Sequence, residues 1–221
     1  MFGSEFKHPS HLKELLFDHP SWKKLIQILL EGAAFPLSPI SDEERTLDLD
    51  FHFDRGNHKS AIQNKKTLDD LIDKVINHGF ALPFPIQSLF SMPNTSTAPL
   101  GCQEQETINT NGERIPKLRM THDQTFPRPS GKSVNLRVIK EELPPCMYRF
   151  VLSRILHYIV DLQYRHPRTK IFLCKFDIDA AYCWFHLSSS TALESMTIYG
   201  GLLLIALRLT FSGSPFHLFG V

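Results

Sequence analysis

Apolar residues recur at intervals of three and four along the first part of the chain. This spacing predicts helical structure over residues 8–31, with Gly32 at its end and a second helix start signal at Pro20-Ser-Trp22. The apolar positions that carry the pattern are Leu12, Leu15, Leu16, Leu25, Ile28 and Leu29.

Two further helix starts are marked by capping residues. Ser41, followed three residues later by Glu44, is typical of a capping box that opens an acidic helix. Thr67-Leu-Asp-Asp70 predicts a helix that continues to Ile76 and ends before Gly79.

Residues 79–116 show little periodicity and contain several prolines, which favour extended segments and turns. Asn109-Thr-Asn-Gly112 reads as a turn before a strand at Ile115–Thr121. We place a domain boundary near residue 100, between a mostly helical region (1–100) and a second region (101–221).

The second region alternates helix and strand. One apolar stripe predicts a helix that starts at Pro144-Pro145 and runs to His166, with a strand at Ile171–Phe176 after Pro167. Met196–Tyr199 and Leu202–Leu209 predict a hairpin around Gly200-Gly201. The stripe consists of Met147, Val151, Ile155, Tyr158 and Leu162. The order of elements indicates an α+β fold with an antiparallel sheet.

The net charge of +1 conceals an asymmetry. Residues 1–116 carry 11 Lys and Arg against 16 Asp and Glu, whereas residues 117–175 carry 12 against 4. A basic segment beside an acidic one predicts either a polyanionic partner or an ordinary solvated surface.

Three features of the sequence bear on the cellular compartment of the protein: the cysteines, the N-terminal residues and the lengths of the apolar runs. No apolar run approaches the roughly 20 residues of a membrane helix, and residues 1–7 lack the features of a secretory signal. The four cysteines lack metal-ligand spacing, and Cys174 and Cys183 are expected to be buried thiols in a reducing compartment. We therefore expect an intracellular protein, cytoplasmic or nuclear.

The strongest chemical signal is Asp177, at the end of the apolar segment Ile171-Phe-Leu-Cys174. A strand end is a rigid support for a carboxylate, and Asp179 points to the same side two residues later. Rigidly mounted carboxylates hold the metal ions of nucleotidyl transfer. From spacing alone, both aspartates are better explained as turn carboxylates after a buried strand.

The residues around Asp177 resemble the first palm motif of reverse transcriptases, Lys-x-Asp-x-x-x-Ala-Tyr/Phe. The matching residues are Lys175, Asp177, Ala181 and Tyr182. The resemblance implies that Asp177, with the backbone of Ile178, binds Mg²⁺ (or Mn²⁺). It also implies that the nucleotide lies against Ile178, Asp179, Ala180, Ala181 and Tyr182, with Tyr182 excluding a ribose 2′-hydroxyl.

An upstream segment is similar to the fingers strand of the same family. Arg119 precedes Asp123 by four residues and leads into Phe126-Pro-Arg-Pro-Ser-Gly-Lys-Ser-Val-Asn135. The resemblance implies that Arg119 grips the triphosphate of the incoming deoxynucleotide, with Lys117 as a weaker helper. Ser130-Gly-Lys-Ser133 lacks the preceding glycine of a P-loop.

Later motifs of the family are weak or missing. Thr210 and Ser212 replace the proline and glycine of the next palm motif, and no Tyr-x-Asp-Asp segment occurs in the 221 residues. The only Asp-Asp pair, Asp69-Asp70, lies in the capped helix. The expectation is therefore a partial fingers and palm whose inherited reaction is RNA-directed DNA synthesis on an RNA or DNA template-primer. The metal would bind only if the full site is completed, and the chain alone is expected to be inactive.

Two alternatives stay open. The chain could be a non-catalytic nucleic-acid-binding remnant of a retroelement, which predicts salt-dependent binding without metal dependence. It could also be a relic with an incomplete core, in which the apolar segments Leu202–Leu207 and Phe211–Phe219 are partly exposed.

Overall fold

The apolar segment Leu202–Ala206 (β5) is the central strand of the larger sheet. In the computed structural model it pairs antiparallel with β1 (Ala81–Pro85) on one side and β4 (Thr197–Tyr199) on the other. The structure describes residues 9–143, 150–174, 183 and 185–209. Pro83 and Pro85 cannot donate ladder hydrogen bonds, which fits the edge position of β1.

Both faces of β5 are covered by apolar clusters. Leu203 and Ile205 belong to one cluster, which also contains Leu89 and Met196. Leu204 belongs to the second cluster, formed with Ala61, Leu68, Ile72 and Leu100. Burial on both faces explains why this strand is a continuous apolar run instead of an alternating one.

A separate two-stranded ribbon consists of β2 (Leu100–Ile108) and β3 (Arg114–His122), which pair antiparallel from Leu100–His122 to Ile108–Arg114. The helices in the described part of the chain are α1 (Pro9–Leu16), α2 (Trp22–Glu31), α3 (Asp42–Arg55), α4 (Lys59–Gln63), α5 (Lys65–Asn77), α6 (Val151–Arg165) and α7 (Ser189–Leu193). Short 3₁₀ turns lie at Ile86–Ser91, Asn135–Arg137 and Lys140–Glu142. The α+β class with antiparallel sheets is confirmed.

Several local start and stop signals are confirmed, whereas the helix start predicted at Thr67 is wrong, because α5 already begins at Lys65 with Asn64 at its N-cap. The Ser41 hydroxyl accepts from the Glu44 amide, and the Glu44 carboxylate accepts from the Ser41 amide, which completes the capping box of α3. Gly200 and Gly201 both have positive φ, as the turn between β4 and β5 requires. The helix α6 ends at Arg165, before Pro167.

The second start signal within residues 8–31 is confirmed, because α2 begins at Trp22. Pro20 separates α2 from α1, since it has no amide hydrogen and restricts the residue before it. One prediction of a strand is wrong. In the strand predicted at Ile171–Phe176, residues 171–174 form no strand, and residues 175 and 176 lie outside the described ranges. Phe172 is 81% exposed and Leu173 is 72% exposed. A strand requires a pairing partner, and an apolar run alone does not specify one.

The strands β1 and β2 were not predicted within residues 79–116. The pairing of β1 with β5 and the packing of Leu68 against Leu204 both connect residues on the two sides of position 100. The boundary near residue 100 stays a prediction, and these contacts show that one hydrophobic core includes residues from both sides of it.

Candidate nucleic-acid interface

The ribbon β2–β3 sorts its charged side chains onto opposite faces. Opposed residues in an antiparallel ladder share a face, and successive residues alternate. Lys117 therefore shares a face with its partner Gln105, and Arg119 with its partner Gln103. We call this surface, formed by Gln103, Gln105, Lys117 and Arg119, the cationic face.

The acidic residues of the ribbon belong to the other face. Glu104 and Glu106 alternate with the glutamines, and Glu106 forms an ion pair of 3.0 Å with Arg114. Lys117 and Arg119 are exposed, and neither forms an ion pair within the described part of the chain. Two cations thus face solvent opposite neutral amides, which is a suitable surface for phosphate oxygens.

The base of the cationic face is closed by His58. A Cβ built on Gly101 would lie 2.8 Å from Thr121 Oγ1 and 3.5 Å from His58 Cδ2, so a side chain here would have to displace the Thr121 hydroxyl. His58 Nε2 lies 3.1 Å from a carboxylate oxygen of Asp123. Asp123, which follows Arg119 by four residues, is therefore engaged with a histidine of the N-terminal region.

An aromatic cluster lies beside this histidine. The ring of Phe126 is in edge contact with His58 at 5.6 Å between centroids, and it stacks with Phe51 at 6.2 Å. The guanidinium carbon of Arg55 lies 4.1 Å from the centre of the Phe126 ring. Phe51 and Arg55 lie four residues apart, on adjacent turns of α3. The same helix therefore presents both side chains to the loop after β3.

The loop after β3 is anchored to the same helix by polar contacts. The Ser130 amide and hydroxyl both donate to the Asp48 carboxylate, at 3.0 and 2.7 Å. Lys132 Nζ forms an ion pair of 2.8 Å with Glu44. The segment that superficially resembles a P-loop therefore fastens a loop to α3.

The basic segment 117–175 divides into structural and exposed cations. Arg137 is 3% exposed and forms a bidentate ion pair with Glu194, with bonds of 2.8 and 2.9 Å. Arg128 donates to the carbonyl of Thr97, and burial lowers its pKa. Among the described cations of this segment, those exposed to solvent are Lys117, Arg119, Lys140, Arg154, Arg165, Arg168 and Lys170.

The predicted catalytic and nucleotide-binding residues of the palm lie outside the described residues. These are Asp177, Ile178, Asp179, Ala180, Ala181 and Tyr182. Within the described ranges, no group of three or more His, Cys, Asp or Glu side chains is arranged to bind a metal ion. The prediction of Mg²⁺ therefore depends on residues outside those ranges.

The structure also shows the surroundings of Asp69 and of the two cysteines that were expected to be buried. Asp69 accepts from Lys65 Nζ at 2.8 Å and from the Tyr199 hydroxyl at 2.7 Å, so it has a structural role in α5. Cys174 is exposed, and the expectation of a buried thiol there is wrong because residues 171–174 do not enter the sheet. Cys183 is partly buried.

Sequence reasoning missed Gln103 and Gln105, because it did not assign β2. The signal was present: the stretch Gln103-Glu-Gln-Glu-Thr-Ile108 precedes a four-residue turn and the predicted strand. Sequence reasoning also missed Arg55, whose partner Phe126 is distant along the chain and carries no local signal.

In the described part of the chain, no helix combines the length and the apolar character that crossing a membrane requires. Comparisons with known proteins add no family to these observations: the chain matches no protein-family model, no curated protein and no solved structure.

Proposed function

We propose that this chain is a partial polymerase that resembles reverse transcriptases, with fingers and the first half of a palm. Its inherited reaction would be RNA-directed DNA synthesis. The observation that carries the proposal is the cationic face, where Lys117 and Arg119 lie exposed opposite Gln105 and Gln103. This arrangement supports the assignment that the family resemblance gives to Arg119.

The two cations have different roles in the proposal. The planar guanidinium of Arg119 binds two phosphate oxygens at once, whereas the Lys117 ammonium acts as a point charge. They are two residues apart on β3, about 7 Å along the strand. Each cation therefore contacts a different phosphate of the incoming deoxynucleotide or of the template.

The sequence contains no Tyr-x-Asp-Asp segment, the motif that completes the metal site in the family it resembles. Nucleotidyl transfer depends on two metal ions and on several rigidly placed carboxylates. The only Asp-Asp pair in the sequence includes Asp69, which is engaged with Lys65 and Tyr199. We therefore propose that these 221 residues bind nucleic acid but do not polymerise by themselves.

The catalytic part of the proposal is tested by primer extension with Mg²⁺ or Mn²⁺. We expect no template-dependent synthesis from the purified chain or from its Asp177→Ala variant. Synthesis that the variant abolishes would contradict the expected inactivity and would assign Asp177 a catalytic role.

The binding part is tested by fluorescence anisotropy with a labelled single-stranded oligonucleotide at a series of salt concentrations. Each phosphate contact adds about 0.7 to the slope of log affinity against log salt. Lys117→Gln and Arg119→Gln should each reduce the slope by about that amount.

Arg114→Gln is the matched control for these variants, because it removes one charge from the same ribbon on the opposite face. Equal losses in all three variants would show that net charge, and not the cationic face, determines binding.

The alternative of a non-catalytic remnant makes a separate prediction. The cationic face contains no carboxylate, so it can bind phosphates without a metal ion. A remnant would bind the oligonucleotide equally with Mg²⁺ or EDTA and would show no affinity for deoxynucleotide triphosphates. Metal-dependent triphosphate binding that Asp177→Ala removes would favour the polymerase.

A further inference from the structure

We infer that Arg55, with Phe51 and Phe126, forms a stacking site for an unpaired base of single-stranded nucleic acid beside the cationic face. We call these three residues the stacking cluster. The inference rests on the proposed function, because the cationic face supplies the phosphate contacts that bring the strand to the cluster.

The groups of the stacking cluster are already in contact through the Phe126 ring. The guanidinium of Arg55 lies on the Phe126 ring at 4.1 Å, and Phe51 lies nearly parallel to that ring at an angle of 16°. Arg55 is exposed, and 36% of the surface of Phe51 is open to solvent. A base can therefore cover the outer side of Arg55 and Phe51 without displacing buried atoms.

Two contacts fix the orientation of this surface. Arg55 Nη1 donates to the Gly56 carbonyl at 3.3 Å, and the His58 ring meets Phe126 at 82°. Groups that are fixed before binding lose little conformational freedom when a ligand arrives. Stacking on aromatic rings and on guanidinium planes is the usual way in which proteins hold unpaired bases.

The stacking cluster and the cationic face are close together. His58 touches Phe126 and also lies against Gly101, which is opposed to Thr121 at the base of the ribbon. The next pair on the same face is Gln103 with Arg119, about 7 Å further along the ladder. A strand whose phosphate meets Arg119 can therefore place a neighbouring base at the stacking cluster.

The geometry also selects single strands. In a duplex, both faces of each base are covered by neighbouring bases, and exposing a base requires unstacking and unpairing it. An unpaired base offers its face without that cost. The occupant is therefore single-stranded RNA or DNA, and not a duplex.

The experiment compares a short oligothymidylate with an oligonucleotide of the same length in which abasic residues replace the bases. Both carry the same phosphates. The intact chain should bind the oligothymidylate about tenfold more tightly, since stacking of one base contributes about 1–3 kcal/mol. Arg55→Lys and Phe51→Leu should remove this preference and leave the salt dependence unchanged.

Phe53→Leu is the matched control. Phe53 lies on the same helix, is 37% exposed and stacks with Phe90, away from the cluster. It should keep the preference for bases. Thermal unfolding of each variant confirms that the fold is retained.

The outcomes separate the two proposals. Equal, salt-dependent binding of both oligonucleotides would overturn the stacking site and leave the proposed function intact. A base preference that Phe53→Leu also removes, or tighter binding of a duplex, would overturn the stacking site. An absence of salt-dependent binding to either oligonucleotide would overturn the proposed function and the stacking site together.

Discussion

Arg137 and Glu194, 57 residues apart along the chain, form a bidentate ion pair in which the arginine is 3% exposed. Arg137 also donates to the Ser38 carbonyl and to the Ser96 hydroxyl. The ion pair joins the 3₁₀ turn at Asn135–Arg137 to the end of α7. Burial by itself raises the pKa of Glu194, but the hydrogen bonds and charge of Arg137 hold it below the usual value.

Glu194→Gln is expected to destabilise the fold by about 3–5 kcal/mol, because it leaves a buried guanidinium without a counter-charge. Replacing both residues, as in Arg137→Met with Glu194→Leu, should cost less than the two single changes together. Urea unfolding of the intact chain, Arg137→Met, Glu194→Leu and the double variant measures this coupling. Additive losses would show that the ion pair contributes no specific stability.

The stability should fall as the solution is acidified from about pH 7 towards pH 5. Burial lowers the pKa of both His52 and His122 to about 4. Their pKa in the unfolded chain is near 6.5, so between these values the unfolded state binds more protons than the folded state. Each histidine should then cost about 2 kcal/mol at pH 5.

Burial, and after it the nearby charges of Arg128 and Arg55, lowers the pKa of His52. Nδ1 lies 2.6 Å from the hydroxyl of Thr97, whereas Nε2 is buried without a hydrogen-bond partner. Protonation would place a second N–H where nothing accepts it. His52→Gln should remove about half of the pH dependence in urea unfolding, and His157→Gln, on the exposed side of α6, should leave it unchanged. Equal pH profiles for all three proteins would refute the assignment.

Gly32→Ala should destabilise the fold more than Gly56→Ala. Both glycines follow a helix with positive φ and extended ψ, a backbone that costs other residues about 1–3 kcal/mol. Only at Gly32 would a Cβ also meet backbone, at 2.6 Å from the carbonyl carbon of Leu187. Gly56 has no atom within 4 Å of that position.

The difference between the two glycine variants therefore isolates the close approach of two chain segments. We expect it to be about 1–3 kcal/mol in thermal or urea unfolding, the usual cost of overpacking. Equal losses would mean that the contact between Gly32 and Leu187 adjusts without cost.

Asp48→Asn tests the anchor of the loop that carries Phe126. The carboxylate of Asp48 is buried and accepts from both the amide and the hydroxyl of Ser130. An asparagine can accept only at one atom, so we expect a loss of about 1–3 kcal/mol. The same variant should loosen the loop, which increased proteolysis near residue 130 would reveal; an unchanged cleavage rate would contradict the anchor.

Local signals were sufficient for several elements of the fold. The capping box of Ser41 and Glu44, the glycine turn at Gly200 and the end of α6 before Pro167 each depend on residues within one turn of the chain. Sequence reasoning failed where the structure depends on a partner. Residues 171–174 are apolar but form no strand, and β2 was missed although its partner β3 was predicted.

For the candidate site, the sequence by itself determined which residues could bind phosphate, since the identities of Lys117 and Arg119 and their spacing on one strand are local facts. Only the tertiary structure decided which cations are available. Arg137 is buried against Glu194. Arg55 is exposed and lies over the ring of Phe126, which is distant from it along the chain. The physical reason is that burial and pairing of a charge depend on contacts between residues far apart in the chain, which composition and periodicity do not encode.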